Sequence, residues 1–273
     1  MGLNPIGYKP WNGKRTEHNR RFLVIADSIL RQKIKGIWFL GMLILGTFIV
    51  HVLPLILRSM SPHEGLSAIM MRDYLGDGLF FIFEVILVAL VCSDLISEDV
   101  RSNSITLYLS RALRVEGYLL GKWLGAMITI CLFTLIPPLA VSIAITVTQS
   151  GSDYLSSFTV VGQTFLAGLW SAAFFIPIGL AISSITRKKT YAGVGTFMFF
   201  FILMIVATIF TEFSTGWALL SPLELLYDTH TVIYGLELSA DVNQAILGAI
   251  VFILTVPPLL LVYLRIMRKG VGK

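Results

Sequence analysis

Few residues in this chain have the type and spacing to do chemistry. His63-Glu64-Gly65-Leu66-Ser67 opens like the H-E-x-x-H of a zinc hydrolase, but Ser67 stands where the second ligand is needed. Gly76-Asp77-Gly78 is a reversed echo of the G-x-G-D of intramembrane aspartyl proteases, with no second aspartate in an apolar run to complete a pair. Cys92 and Cys131 lie inside apolar runs without a partner pattern and read as small buried side chains. No Cys/His cluster has metal-ligand spacing, and no G-x-x-x-x-G-K-[ST] provides a phosphate cradle. The chain is therefore expected to be no enzyme and to hold neither metal nor cofactor of its own.

Two titratable residues sit in apolar surroundings. Glu84 lies in Phe80-Phe81-Ile82-Phe83-Glu84-Val85. An ionised side chain in mid-membrane costs roughly 2.5–3.5 kcal/mol on insertion scales. Glu84 should therefore face the bundle interior, a seam between copies or a water-filled path, and it is the candidate pathway or gating residue. His51, three residues before Pro54, reads as a satisfied histidine near the end of an apolar run.

The elements that must position these residues are membrane helices. Of 273 residues, 56% are apolar and only 14% charged, against about 25% charged in a soluble domain. The mean hydropathy is +0.81. Crossing about 30 Å of hydrocarbon takes about 20 mainly apolar residues, and six runs qualify: Ile37–Leu57, Gly78–Ser93, Trp123–Thr148, Phe158–Ile185, Ala192–Thr211 and Gln244–Ile266. The second is the shortest and extends toward Ile96. Runs this long and continuous suit helices rather than barrel strands. Pro137-Pro138, Pro177 and Pro257-Pro258 should interrupt or kink the third, fourth and sixth.

With six spans, 19 of the 21 lysines and arginines fall on one side, and only Arg58 and Arg72 on the other. The positive-inside rule then puts both termini in the cytoplasm of a cell-membrane protein. The net charge of +5 is a topology signal, and no nucleic-acid partner is implied.

Three segments outside the spans carry pattern. Residues 16–35 form an amphipathic helix in which Phe22, Ile25, Ala26 and Ile29 follow one face, suited to lie in the headgroup layer of the membrane lipids. The outer loop, residues 212–243, is acidic and partly apolar, with Ser221-Pro222 as a helix start. The cytoplasmic segment 94–122 is the most informative. The acidic cluster Glu98-Asp99 is followed by Arg101 and a Ser/Asn turn. Ile105, Leu107, Tyr108 and Leu109 then form a compact apolar patch bordered by Arg111, and a helix beginning near Val115 leads into the third span. Such a patch on a short loop is laid on the membrane or buried against a partner. Gly121 and Gly125 form a G-x-x-x-G that permits close helix approach.

Segment 94–122 resembles the loop between the second and third spans of ABC type-2 permeases. The resemblance rests on Ile96-Ser97-Glu98-Asp99, Thr106-Leu107-Tyr108-Leu109-Ser110-Arg111 and Tyr118-Leu119-Leu120-Gly121-Lys122. Ala112 stands where that family often has proline. The resemblance implies an all-α polytopic fold, a single six-span permease domain over residues 1–273, with the amphipathic N-terminal helix lying at the interface. It makes Ser104–Arg111 a coupling helix that docks a separate cytoplasmic P-loop ATPase through Glu98, Asp99, Arg101, Ile105, Leu107, Tyr108, Leu109 and Arg111. ATP and Mg would be bound by that partner. The working state would pair this chain with a second permease, a copy or a paralogue, above two ATPase subunits. The outer loop would carry short re-entrant helices. The expected function is ATP-driven export of a hydrophobic or amphipathic substrate. The alternative is a non-transporting scaffold or assembly factor docking a cytoplasmic partner through the same loop.

Overall fold

In the computed structural model, the residues described are 21–59, 66–105, 114–148, 154–213, 215–239 and 242–271. Their regular structure is helical throughout.

Helix α1 (Arg21–Ile34) is followed by α2 (Ile37–Gly46), a π-turn over Thr47–Val52 and α3 (Leu53–Ser59), which together make the first span. A short helix, α4 (Ala68–Leu75), is capped by Ser67, whose hydroxyl accepts from the Met70 amide at 3.2 Å. The second span is α5 (Gly78–Leu95) with α6 (Ser97–Arg101). Its start is fixed by Asp77, whose carboxylate accepts from the Leu79 amide at 2.8 Å. The third span is α7 (Val115–Thr134) and α8 (Ile136–Thr148), the fourth α9 (Tyr154–Ile185) and the fifth α10 (Lys189–Thr211). A 3-10 turn over Thr215–Leu220 and α11 (Pro222–Ile233) form a cap between the fifth and sixth spans, and α12 (Gln244–Val271) is the sixth span.

Among the described residues, six helices are thus long and apolar enough to cross a membrane, matching the runs read from the sequence. The third span is interrupted, as its prolines suggest. It breaks at Leu135, and Pro137 and Pro138 fall in the first turn of α8, where amides lack intrahelical acceptors and proline costs least. Pro177 and the Pro257-Pro258 pair sit inside helices that continue through them.

The second, third and fourth spans form the centre of the protomer. They bury 61%, 50% and 67% of their most apolar stretch within the chain, against 17%, 17% and 11% for the first, fifth and sixth. The core is therefore α5, α7 and α9, with Phe80, Phe133, Phe174, Phe175 and Tyr118 among the fully buried side chains. The peripheral spans leave long apolar faces to lipid or to another chain.

This cap is hydrogen-bonded onto the fourth span. Trp170 Nε1 donates to Thr229 Oγ1 at 2.9 Å, Ser171 Oγ and His230 Nε2 share a bond of 3.0 Å, and the hydroxyls of Thr164 and Tyr234 lie 2.9 Å apart. Tyr227 donates to Asp73 at 3.1 Å and lies beneath the Arg72 guanidinium, which ties the cap to α4 as well.

Candidate coupling site

The segment between the second and third spans begins at a kink. The second span stops being helical at Ile96 and resumes at Ser97, so two amides lose their helical acceptors. Ser183 of the fourth span takes both: its Oγ accepts from the Ile96 amide at 3.2 Å and the Ser97 amide at 3.1 Å. Ser183 in turn donates to the Ser93 carbonyl at 3.3 Å, and the Ser97 hydroxyl donates to that same oxygen at 2.6 Å. Buried backbone donors must be paired somewhere, and here a side chain of α9 pairs them. Past α6 the chain turns at Asn103, with φ +54, in the left-handed region that asparagine tolerates better than most residues. Ile105 follows and is buried.

The charges around this kink divide into two sets. Glu98 and Arg101 pair with each other at 2.9 Å on the surface, 48% and 65% exposed. Such a pair contributes at most about 1 kcal/mol. Asp99 points inward. Its Oδ2 accepts from Tyr118 OH at 2.6 Å and meets Lys122 Nζ at 2.7 Å, and its Oδ1 accepts from the Ser104 hydroxyl at 3.0 Å. With Asp99 and Lys122 only 14% and 10% exposed, removing one partner strands a buried charge, typically at ~3–5 kcal/mol. Tyr118 and Lys122 are one helical turn apart on α7, so Asp99 clamps the second span's C-terminal end to the third span's first turns.

A second buried ion pair sits one turn above. Lys33 of α1 pairs with Asp94 at the end of α5 and donates to the Leu90 carbonyl at 3.0 Å. It gets there because α1 lies against α7 at very short range. A Cβ on Gly121 would fall 2.9 Å from the Phe22 carbonyl oxygen, and one on Gly125 would fall 3.0 Å from the Ala26 Cα. Glycine at these two positions lets the helices touch backbone to backbone. Ala26 and Ile29, from the apolar face read in the sequence, are buried, while Leu23 and Val24 remain exposed.

The structure thus brings together Glu98, Asp99, Arg101 and Ile105 on one short stretch. Leu107, Tyr108, Leu109 and Arg111, the rest of the expected docking face, lie outside the described residues. Sequence reasoning missed Lys33 and Ser183. Lys33 left a signal: it follows Ala26 and Ile29 on the face that should be apolar, and a lysine there asks for an acid opposite. Ser183, one small polar residue in a span, left none.

Glu84 lies elsewhere, up the second span. It is fully buried within the protomer, and neither carboxyl oxygen has a hydrogen-bond partner. A buried polar group left unpaired costs about 1–3 kcal/mol, and more if charged. His51 is also buried within the protomer. Its Nδ1 bonds Tyr74 OH, and the Phe133 carbonyl stands against the ring.

Among the described residues no group of three or more His, Cys, Asp or Glu is placed to hold a metal ion. A family model described as ABC-2 family transporter protein matches residues 23–271. Comparison with curated proteins gives no match.

Proposed function

Because this chain belongs to the ABC-2 transporter family, as a membrane-spanning permease that associates with an ABC ATPase subunit, we propose that it is half of an exporter's translocation unit. The other half is a second permease, and two ATPase chains sit beneath in the cytoplasm, on the side of the cell membrane where both termini lie. The cargo is hydrophobic or amphipathic. This chain contributes no nucleotide chemistry. It converts the closing of the ATPases into movement of its spans.

The observation that carries this reading is the Asp99 clamp. A segment that receives force must be joined stiffly to what it moves. Residues 106–113, which hold Leu107, Tyr108, Leu109 and Arg111, are flanked on one side by α6 and on the other by α7, and Asp99 binds these two flanks together. Ser183 fixes the same corner to the fourth span. A pull on the segment then reaches the three central spans together, because these pack on one another as a rigid core. Glu98 and Arg101 stand exposed beside it and complete the docking face. α1 braces the assembly through Lys33 and Asp94 and lies along the inner leaflet.

The test is purification in mild detergent from the native host. A P-loop ATPase should accompany the chain in stoichiometric amount, and Leu107→Asp or Tyr108→Asp should release it. Retention of the ATPase by both variants would remove the docking assignment.

A further inference from the structure

The link between the fourth and fifth spans is a run of three cations, Arg187, Lys188 and Lys189, all exposed. It lies at the same end of the bundle as the corner between the second and third spans, since Ser183, which holds the Ile96 and Ser97 amides, is four residues before Arg187. The last turns of the sixth span bring two more. Arg265 reaches across to the end of α9, where its Nη2 donates to the Ile185 carbonyl at 3.4 Å. That contact sets the guanidinium beside the start of the basic run. Arg268 follows on α12 and is exposed.

These charges are not neutralised within the chain. Among the described residues, Arg31, Lys33, Arg72, Arg101 and Lys122 each meet a carboxylate, and none of these five does. The first turn of α10 holds no acid. Glu116 of α7 meets Tyr263 at 3.4 Å instead. Lys188 stands over the Tyr191 ring, 5.4 Å from its centroid. With one long bond and an unpaired Nε, the Arg265 guanidinium is short of acceptors.

The surroundings say what kind of acceptor fits. On the sixth span Leu261, Leu264 and Arg268 follow the i, i+3, i+7 spacing of one helical face, and all are exposed. An outward apolar stripe thus ends in a cation. Ile185 and Tyr191, on either side of the basic run, are exposed as well, and tyrosine is enriched at the headgroup level of a membrane. A lipid offers both halves of this surface, a charged head and apolar tails.

We propose that Arg187, Lys188, Arg265 and Arg268 hold the phosphate headgroup of an anionic phospholipid, with its acyl chains along Leu261 and Leu264. Lys189 and Tyr191 border the head. Basic clusters where helices leave a membrane attract anionic lipid. The bound phosphate joins the link between the fourth and fifth spans to the sixth span, where the Arg265 bond to Ile185 is long. That this is the cytoplasmic leaflet rests on the permease reading.

The test follows the melting of the full chain in a non-ionic detergent as dioleoylphosphatidylglycerol, dioleoylphosphatidylcholine or free glycerol phosphate is added. A ligand that binds the folded chain raises its melting temperature with concentration. Phosphatidylglycerol should do so saturably, and the other two should not. In Arg187→Gln/Lys188→Gln and in Arg187→Gln/Arg265→Gln the half-saturating amount should rise about tenfold or more. The first pair is exposed, so it keeps the test decisive if loss of Arg265 unsettles the fold. Lys35→Gln/Arg114→Gln, which removes equal charge from other exposed sites, should stay within about twofold. No response to phosphatidylglycerol would overturn the proposal. Equal losses in all three double variants would too, by pointing to diffuse surface charge, and so would an equal response to glycerol phosphate, by pointing to a free-anion site. Release of the ATPase by Arg187→Gln/Lys188→Gln with no lipid added would give the surface to that partner and also overturn it. The titration needs no ATPase, so its failure and that of the permease reading are seen separately.

Discussion

Asp99 is the residue on which the corner between the second and third spans turns. It joins three donors from two elements on a largely buried carboxylate, whereas its neighbours Glu98 and Arg101 only meet each other on the surface. Asp99→Ala should destabilise the protein by ~3–5 kcal/mol, because Lys122 is left buried without its counter-ion, and should loosen ATPase retention. Asp99→Asn, which still accepts from Tyr118, should do less. Glu98→Ala or Arg101→Ala should change stability by under about 1 kcal/mol, so that any effect on ATPase retention reports docking alone. Thermal melts with and without the partner separate these. The motif Ile96-Ser97-Glu98-Asp99 was legible as a charged cluster, but not which acid faces inward. The kink at Ile96 resets the helical phase, and that kink depends on Ser183, 87 residues away. A local pattern cannot encode it.

At the level of elements, α1 and α11 are the parts whose packing makes sharp predictions. Gly125→Leu would place a branched side chain where a Cβ alone already falls 2.7 Å from Ile29 Cδ1. α1 should come away from α7, breaking the Lys33–Asp94 pair, and limited trypsin digestion should then cut after Arg31. The G-x-x-x-G was visible in the sequence, but its partner was not, because small-residue spacing says that something approaches closely without saying what.

The cap helix α11 should respond to acid. Burial holds the His230 imidazole down at about 3, against an ordinary 6.5, with the Ala167 carbonyl opposing. The released form therefore binds a proton that the latched form refuses. Stability rises with pH where the released state holds more protons. The latch is thus fully stable above about 6.5 and weakens as pH falls from there toward 3. Asp228 works the other way over a narrower window. Burial, with Glu224 beside it and Arg72 opposing, pushes it up to about 6 from 3.8, so it favours the latch most at low pH and loses that contribution as pH rises through 6. The imidazole shift is the larger, so acid should loosen the cap overall. Amide exchange over 222–233, corrected for intrinsic rate, should be faster at pH 5 than at pH 7.5, and His230→Asn should flatten the difference. Ser221-Pro222 announced this helix, and the structure starts it at Pro222. The latch itself was hidden, since Trp170, Ser171 and Thr164 look like any other polar residues of a long span.

For the molecule as a whole, the six spans and their membrane nature were legible because a bilayer imposes length and apolarity on every helix independently. What could not be read was the order of packing, since lipid-facing and protein-facing residues are alike when the solvent is itself apolar. The structure separates them: the second, third and fourth spans are buried and the first, fifth and sixth are not. On the fifth span Val194, Met198, Ile202, Ile205 and Ile209 are all exposed, at the spacing of one or two helix faces. If a second permease completes the transporter, part of this surface should be covered by it. Single cysteines along these positions should cross-link between protomers at some and be inert at others with helical period. Uniform inertness would assign the whole face to lipid.

In the proposed cycle, closing of the two ATPases draws the corners between the second and third spans of the paired permeases toward each other. The most direct measurement places a spin label at Arg101, exposed beside the docking segment, as Arg101→Cys with Cys92 and Cys131 replaced by alanine, in the complex with its ATPase. The distance between the two labels should shorten when a non-hydrolysable ATP analogue binds and lengthen again when it is washed out. A distribution that is the same with and without nucleotide, in a complex that still hydrolyses ATP, would contradict it.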